Sequence, residues 1–212
     1  AWIELGLDRV TLVAAALGQT TRLADKPILA VAGTNGKGSV VTYLSNILDR
    51  AGYKVGTYTS PHLVQFNERI RLNGMPADDA AIAKAFAAVE TARAATDVAL
   101  TYFEFTTLAA IEVFLDAGVD ALVLEIGLGG RLDAVNLYDA DVSVITGIAL
   151  DHQDFLGETR EAIALEKIGV ARAGRPVVIA EPELPLAARK QLAETGAVVY
   201  LIGEEFGFEP LP

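Results

Sequence analysis

The chain contains no cysteine. That removes disulfides and thiolate metal sites together, and it suits a cytoplasmic protein. Basic residues are scarce: 17 Lys and Arg stand against 28 Asp and Glu, a net charge of −11. Nucleic acid is therefore not expected as a partner, because phosphate backbones are held through basic surface. No run of about 18 apolar residues occurs and no basic-then-apolar leader opens the chain, so neither a membrane span nor a signal peptide is expected. Internal repeats and low-complexity linkers are missing too. None of these absences speaks against ATP, since a few local cations suffice for a nucleotide.

What is present is apolar and rhythmic. The 212 residues are 52% hydrophobic and 21% charged, enough for one large domain, or one domain with a fragment of another. Apolar runs alternate with amphipathic stretches, the pattern of an α/β fold with a mostly parallel sheet between helical layers. Strands are expected over residues 27–33, 54–59, 121–126, 142–147, 175–180 and 197–202. Helices are expected over 38–51, 77–94, 105–117, 160–173 and 185–195. Thr159 is the expected cap of the fourth helix, which Gly174 and Pro176 should close. The tail over 203–212 mixes acidic residues and Pro with Phe206 and Phe208.

The strongest chemical signal lies between the first strand and the first helix. Gly33, Thr34, Asn35, Gly36, Lys37, Gly38 and Ser39 form a glycine-rich loop. Such a loop turns its N–H groups inward, and the helix N-terminus behind it adds a positive dipole end. Lys37 supplies a mobile cation for β- and γ-phosphate oxygens, and Ser39 a hydroxyl for phosphate or magnesium. The segment departs from G-x-x-x-x-G-K-[ST] because Gly38 separates Lys37 from Ser39. A solvated lysine in a plain turn is the bland alternative, and the strand–loop–helix order argues against it.

Two further residues stand at strand ends, where α/β sheets bind ligands. Glu125 closes an apolar run and enters Gly127-Leu128-Gly129-Gly130, a natural place for a magnesium ligand beside ATP. His152 follows the next strand; alone it would be read as structural. A dinucleotide reading of the second glycine run is discounted, because no helix opens after it.

GTNGKGS resembles the loop of the Mur ligase superfamily, and within it the folylpolyglutamate synthase/dihydrofolate synthase family. The likeness extends through LGLDRV (5–10), TSPHLVQFNERIRLNG (59–74), TYFEFTTLAA (101–110), LEIGLGGRLDAVN (124–136), LDHQDFLG (150–157) and EKIGVARAGRP (166–176), in the family's order. This resemblance implies a P-loop NTPase-like central domain that uses ATP and two magnesium ions. It implies Ser60, Glu125 and His152 as metal ligands, with His62 left as a turn residue. It implies a carbamylated Lys167, where a surface lysine would otherwise be the default. It implies a pterin or folate site from Leu5, Gly6, Leu7, Thr59, Thr101, Tyr102, Phe103, Glu104, Leu132, Asp133 and Ala134. Without it, Phe103 and Phe105 would be read as core.

The implied reaction is ATP-dependent addition of L-glutamate to dihydropteroate, to a folate tail, or to both, through an acyl phosphate. The resemblance also implies that residues 1–212 form an ATP-binding domain incomplete at its C-terminal end, with the glutamate-binding domain beyond it. The protein is read as a monomer. A cell-wall ligase shares the loop but not the pterin-like segments. A nucleotide switch protein would differ in showing no glutamate-stimulated ATP hydrolysis.

Overall fold

Ile, Leu, Val and two alanines make the first strand, β1 (Ile28–Ala32), and their alternation decides the layering. Ile28, Ala30 and Ala32 point into the larger apolar core, while Val31 points to the opposite face, against Val41, Val55 and Val123. A computed structural model describes residues 3–208; residues 209–212 of the expected tail lie outside the described ones. It holds one eight-stranded sheet in the order β4-β3-β2-β5-β1-β6-β7-β8. The strands β2 (Val55–Tyr58), β5 (Ala121–Glu125), β6 (Val142–Ile145), β7 (Pro176–Ile179) and β8 (Val198–Leu201) run parallel with β1. β3 (Ile70–Leu72) and β4 (Met75–Pro76) add an antiparallel hairpin at the edge beyond β2.

The helices α1 (Asp8–Ala16), α2 (Gln19–Arg22), α3 (Lys37–Arg50), α4 (Asp79–Thr96), α5 (Tyr102–Ala117), α6 (Gln153–Leu156), α7 (Arg160–Ile168) and α8 (Leu186–Thr195) complete the fold. α3 packs on the Val31 face, through Val41 and its neighbours. The larger core on the other face takes residues of α1, α4, α5, α7 and α8. The result is the expected three-layer α/β architecture. All six expected strands and all five expected helices are present, with shifted ends. Among the described residues, no helix is long and apolar enough to cross a membrane.

One end shift has a clear physical cause. The fourth expected helix, α7, stops at Ile168 rather than 173. Beyond it, Asn136 Nδ2 donates to the Gly169 carbonyl at 3.1 Å and Ser143 Oγ to that of Val170 at 2.9 Å. These tertiary partners take carbonyls that a continuing helix would need.

The central strands β2, β5, β1 and β6 lie side by side and parallel. Their C-terminal ends therefore open on one edge of the sheet. The loop at 33–36, Ser60, Glu125 and His152 each follow or end one of these strands, so the topology alone gathers them.

Candidate active site

The phosphate loop is held by its neighbours before any ligand arrives. Gly33 has φ 142°, and a Cβ there would meet Thr146 Oγ1 at 1.7 Å, so only glycine fits where β1 passes β6. The Thr34 amide donates to the Gly147 carbonyl at 2.8 Å, and Thr34 Oγ1 accepts from the Ala149 amide at 3.1 Å. Gly36 then opens α3 without a side-chain cap. The first-turn N–H groups of this helix, at Lys37, Gly38 and Ser39, are thus left for an anion. Lys37 folds back on the loop, donating from Nζ to the Gly33 and Thr34 carbonyls at 3.0 and 3.3 Å.

Glu125 ends β5 only 5% exposed, and its Oε2 accepts from the Ser60 amide at 3.2 Å. Burial pushes its carboxyl above the usual range, against the pull of the Ser60 amide and the Lys37 charge. A buried carboxylate with so little to hold it suits a cation. His152 sits on the next loop in a left-handed conformation, with Nε2 3.7 Å from Asp151 Oδ2. No three His, Asp or Glu side chains converge among the described residues. A metal here would rely on Glu125, the Ser60 hydroxyl, water and phosphate oxygens, which is how magnesium is usually held.

Lys167, on α7, is 3% exposed, and its amine meets no acceptor among the described residues. Burial and then repulsion from Lys37 push its pKa down to about 8, with Asp151 pulling the other way. The end of α7 is fastened to the second glycine run, where the Arg131 amide donates to the Glu166 carbonyl at 2.8 Å.

A cavity of about 390 Å³ opens beside these groups. Lys37, Ser60 and His152 are among its lining residues, with Tyr102, Phe103, Leu128 and Leu132 as apolar walls. Leu5, Gly6, Thr101, Glu104, Asp133 and Ala134 complete the expected pterin residues found there. Leu7 and Thr59 are not part of the lining. Thr101 and Glu104 also have a structural task. They form a capping box at the start of α5, with the Thr101 amide donating to Glu104 Oε2 at 2.6 Å. The other oxygen of Glu104 accepts from Arg9 Nη2 at 3.1 Å. Asp133 is 2% exposed; its oxygens accept from the Leu128 and Val135 amides at 2.8 and 3.0 Å. Burial nevertheless pushes its carboxyl up to about 7.

One residue of this cavity, and one that contacts it, had no ligand role assigned from the sequence. Arg69 ends a 3₁₀ turn (Phe66–Arg69) and lines the cavity at 8% exposure. His62, read as a turn residue, accepts at Nδ1 from Arg69 Nε at 2.8 Å. Nothing local in the sequence marks either one, since the pairing exists only once β2 and β3 are together.

Comparison with known proteins agrees with this geometry. The Mur ligase middle domain matches residues 31–205. The dihydrofolate synthase/folylpolyglutamate synthase of Escherichia coli is 49% identical over 207 residues, covering 97% of this chain and 48% of that protein. A solved structure of E. coli FolC in complex with DHPP and ADP superposes with a TM-score of 0.94 at 47% identity, covering 99% of this chain and 50% of that one. A bifunctional folylpolyglutamate synthase/dihydrofolate synthase with Mn, AMPPNP and L-glutamate bound superposes at 0.91 and 46% identity, again with 99% and 50% covered. The chain spans about half the length of these relatives. On its sequence, its sheet and the place of its phosphate loop, the chain belongs to the Mur ligase middle-domain family and is similar to the folylpolyglutamate synthase/dihydrofolate synthase ligases within it.

Proposed function

We propose that this domain activates the carboxylate of dihydropteroate, of a folate tail, or of both, for ligation to L-glutamate at the expense of ATP. One observation carries the reading: Lys37, Ser60 and an aromatic-walled pocket face a single cavity. A nucleotide on the phosphate loop would have its terminal phosphate beside whatever fills that pocket. The E. coli relative solved with DHPP and ADP supports this pairing of ligands.

The chemistry follows from the arrangement. A carboxylate oxygen attacks the γ-phosphorus, ADP leaves, and an acyl phosphate forms. The glutamate amine then attacks the acyl carbon and expels phosphate, leaving an amide. No protein nucleophile is needed. Lys37, with the first-turn amides of α3, holds the phosphoryl oxygens as charge moves onto the leaving group. Tyr102, Phe103, Leu5 and Leu132 pack a flat ring, while Thr101, Asp133 and Ala134 offer polar groups to its edge. Glu125, Ser60 and His152, with Ser39 in reach of the same phosphates, would hold two magnesium ions. Bound there, the ions neutralise phosphate charge. A cytoplasmic monomer belongs to the same reading, as does the lack of a nucleic-acid partner, which the net charge of −11 supports.

Residues 1–212 are expected to be the ATP-binding domain, with glutamate held by a further domain, since the relatives are about twice as long. The test is ADP release that requires both L-glutamate and the pteroate acid. It is measured for this chain and for a polypeptide of the relatives' length. Turnover is expected from the longer polypeptide alone, since orientation and exclusion of water both depend on closure over the acyl phosphate. ADP release indifferent to glutamate would refute the ligase reading.

Lys167 is expected to react with carbon dioxide to give a carbamate, the anion that best suits a place near the metal residues. Its burial favours the neutral amine, the form that attacks carbon dioxide. With ¹³C-labelled bicarbonate, a carbamate carbon signal should appear and grow between pH 7 and 9. No signal, together with full activity of Lys167→Ala, would contradict it.

A further inference from the structure

Among the described residues, Arg69 is a buried cation with no acidic partner. Its Nε donates to His62 Nδ1 at 2.8 Å, and its guanidinium carbon lies 5.5 Å from the centroid of the Tyr102 ring. Neither Nη meets an acceptor among the described residues, and no Asp or Glu there forms an ion pair with it. The side chain is 8% exposed, yet neither Nη is among the buried unpartnered polar atoms, so both remain open to a ligand. The side chain lines the cavity, so the space that its partner would fill is the ligand's.

Its position fits a particular ligand group. The Arg69 carbonyl accepts from the Thr59 amide at 2.9 Å, which places Arg69 across from the residue before Ser60. Its guanidinium lies by the Tyr102 ring, and Ser60, Lys37 and Tyr102 line the same cavity. The donors of a planar fork match the two oxygens of a carboxylate. Tyr102 supports the fork through cation–π contact, and His62, in accepting from Nε, fixes its rotation and leaves both Nη groups for the cavity.

We propose that Arg69 is the carboxylate-binding residue of this cavity, and that His62 and Tyr102 position it. The ligand class is an aryl carboxylate whose ring system lies on the aromatic side and whose acid group reaches the phosphate side. This rests on the pterin-binding reading above and adds to it the group that recognises the acid to be activated. Glu104, which lines the same cavity, cannot do this, because it is itself a carboxylate held by Thr101 and Arg9.

The experiment compares binding of pteroic acid and its methyl ester to this chain, to Arg69→Gln, to Arg69→Lys and to His62→Gln. ADP-magnesium binding serves as the control for folding. The wild type should prefer the acid by about tenfold to a hundredfold, the range of a charge-assisted hydrogen-bonded pair. Arg69→Gln should bind the acid no better than the ester, with ester affinity unchanged. Arg69→Lys should keep part of the preference, and His62→Gln should lose several-fold on the acid alone. A purely structural Arg69 would instead weaken acid and ester equally, and that result overturns the proposal. Should Arg69→Gln fail to fold, the wild-type ratio and His62→Gln still decide: equal affinity for acid and ester in the wild type refutes it. Failure to bind either compound would instead sink the pterin reading itself.

Discussion

Lys37→Ala is expected to lower kcat/KM on the order of 10²- to 10³-fold in a polypeptide of the relatives' length, the usual loss for one preorganised donor at a developing oxyanion. The fold should survive. Lys37 donates to the Gly33 and Thr34 carbonyls of its own loop. The loop is pinned independently by Thr34 against Gly147 and Ala149. Loss of the two lysine bonds should therefore cost about 1 kcal/mol or less. The charge also acts at a distance, lowering the pKa values of Glu125, Asp133 and Lys167. Removing it should raise all three. Steady-state kinetics and thermal unfolding on one preparation check both halves. Activity above about a tenth of wild type would place the phosphates elsewhere.

Glu125→Ala should be the second large loss, on the order of 10² in kcat/KM, with the magnesium midpoint displaced upward. His152→Ala should move the midpoint less, because the imidazole is largely exposed and already near Asp151. Stability should tell a different story from activity. Burial raises the Glu125 pKa, so the folded state favours the protonated acid. The stability that this contributes is present below the unfolded pKa and is lost as pH rises through the folded one. At pH 8 without metal, Glu125→Ala should unfold within about 1 kcal/mol of wild type, the lost Ser60 contact offset by relief of a buried charge. Magnesium titration of ATP turnover and metal-free denaturation test the two claims separately. Unchanged midpoints in both variants would remove the metal site from the account.

The sheet was readable because parallel strands buried on both faces are unbroken apolar runs, as in residues 121–125. The hairpin of β3 and β4 was not anticipated. Its strands hold only Ile70–Leu72 and Met75–Pro76, too short for a periodic signal. Its one clue was Asn73-Gly74, both at positive φ, the dipeptide that a tight hairpin turn prefers. α5 begins three residues before the expected start because Thr101 and Glu104 form a capping box. Those residues had been assigned only to a ligand, and they turn out to face the cavity and cap the helix at once. The phosphate loop announced itself through local order of strand, glycines and helix. Arg69 and His62 did not, since their partnership depends on contacts that form only in the folded sheet. Lys167 lay between the two: its helix was expected, but its burial to 3% exposure was not visible in a helical pattern.

The central claim is that the phosphate loop and the aromatic pocket serve one reaction at a carboxylate. The most direct test is to follow the carboxylate oxygens. Dihydropteroate labelled with ¹⁸O in its carboxyl group is turned over with ATP and L-glutamate by a polypeptide of the relatives' length. An acyl phosphate requires that one substrate oxygen leave with phosphorus, so mass spectrometry should find one ¹⁸O in each released phosphate. Unlabelled phosphate, formed alongside the glutamyl product, would show that the carboxylate is never phosphorylated and would contradict the account.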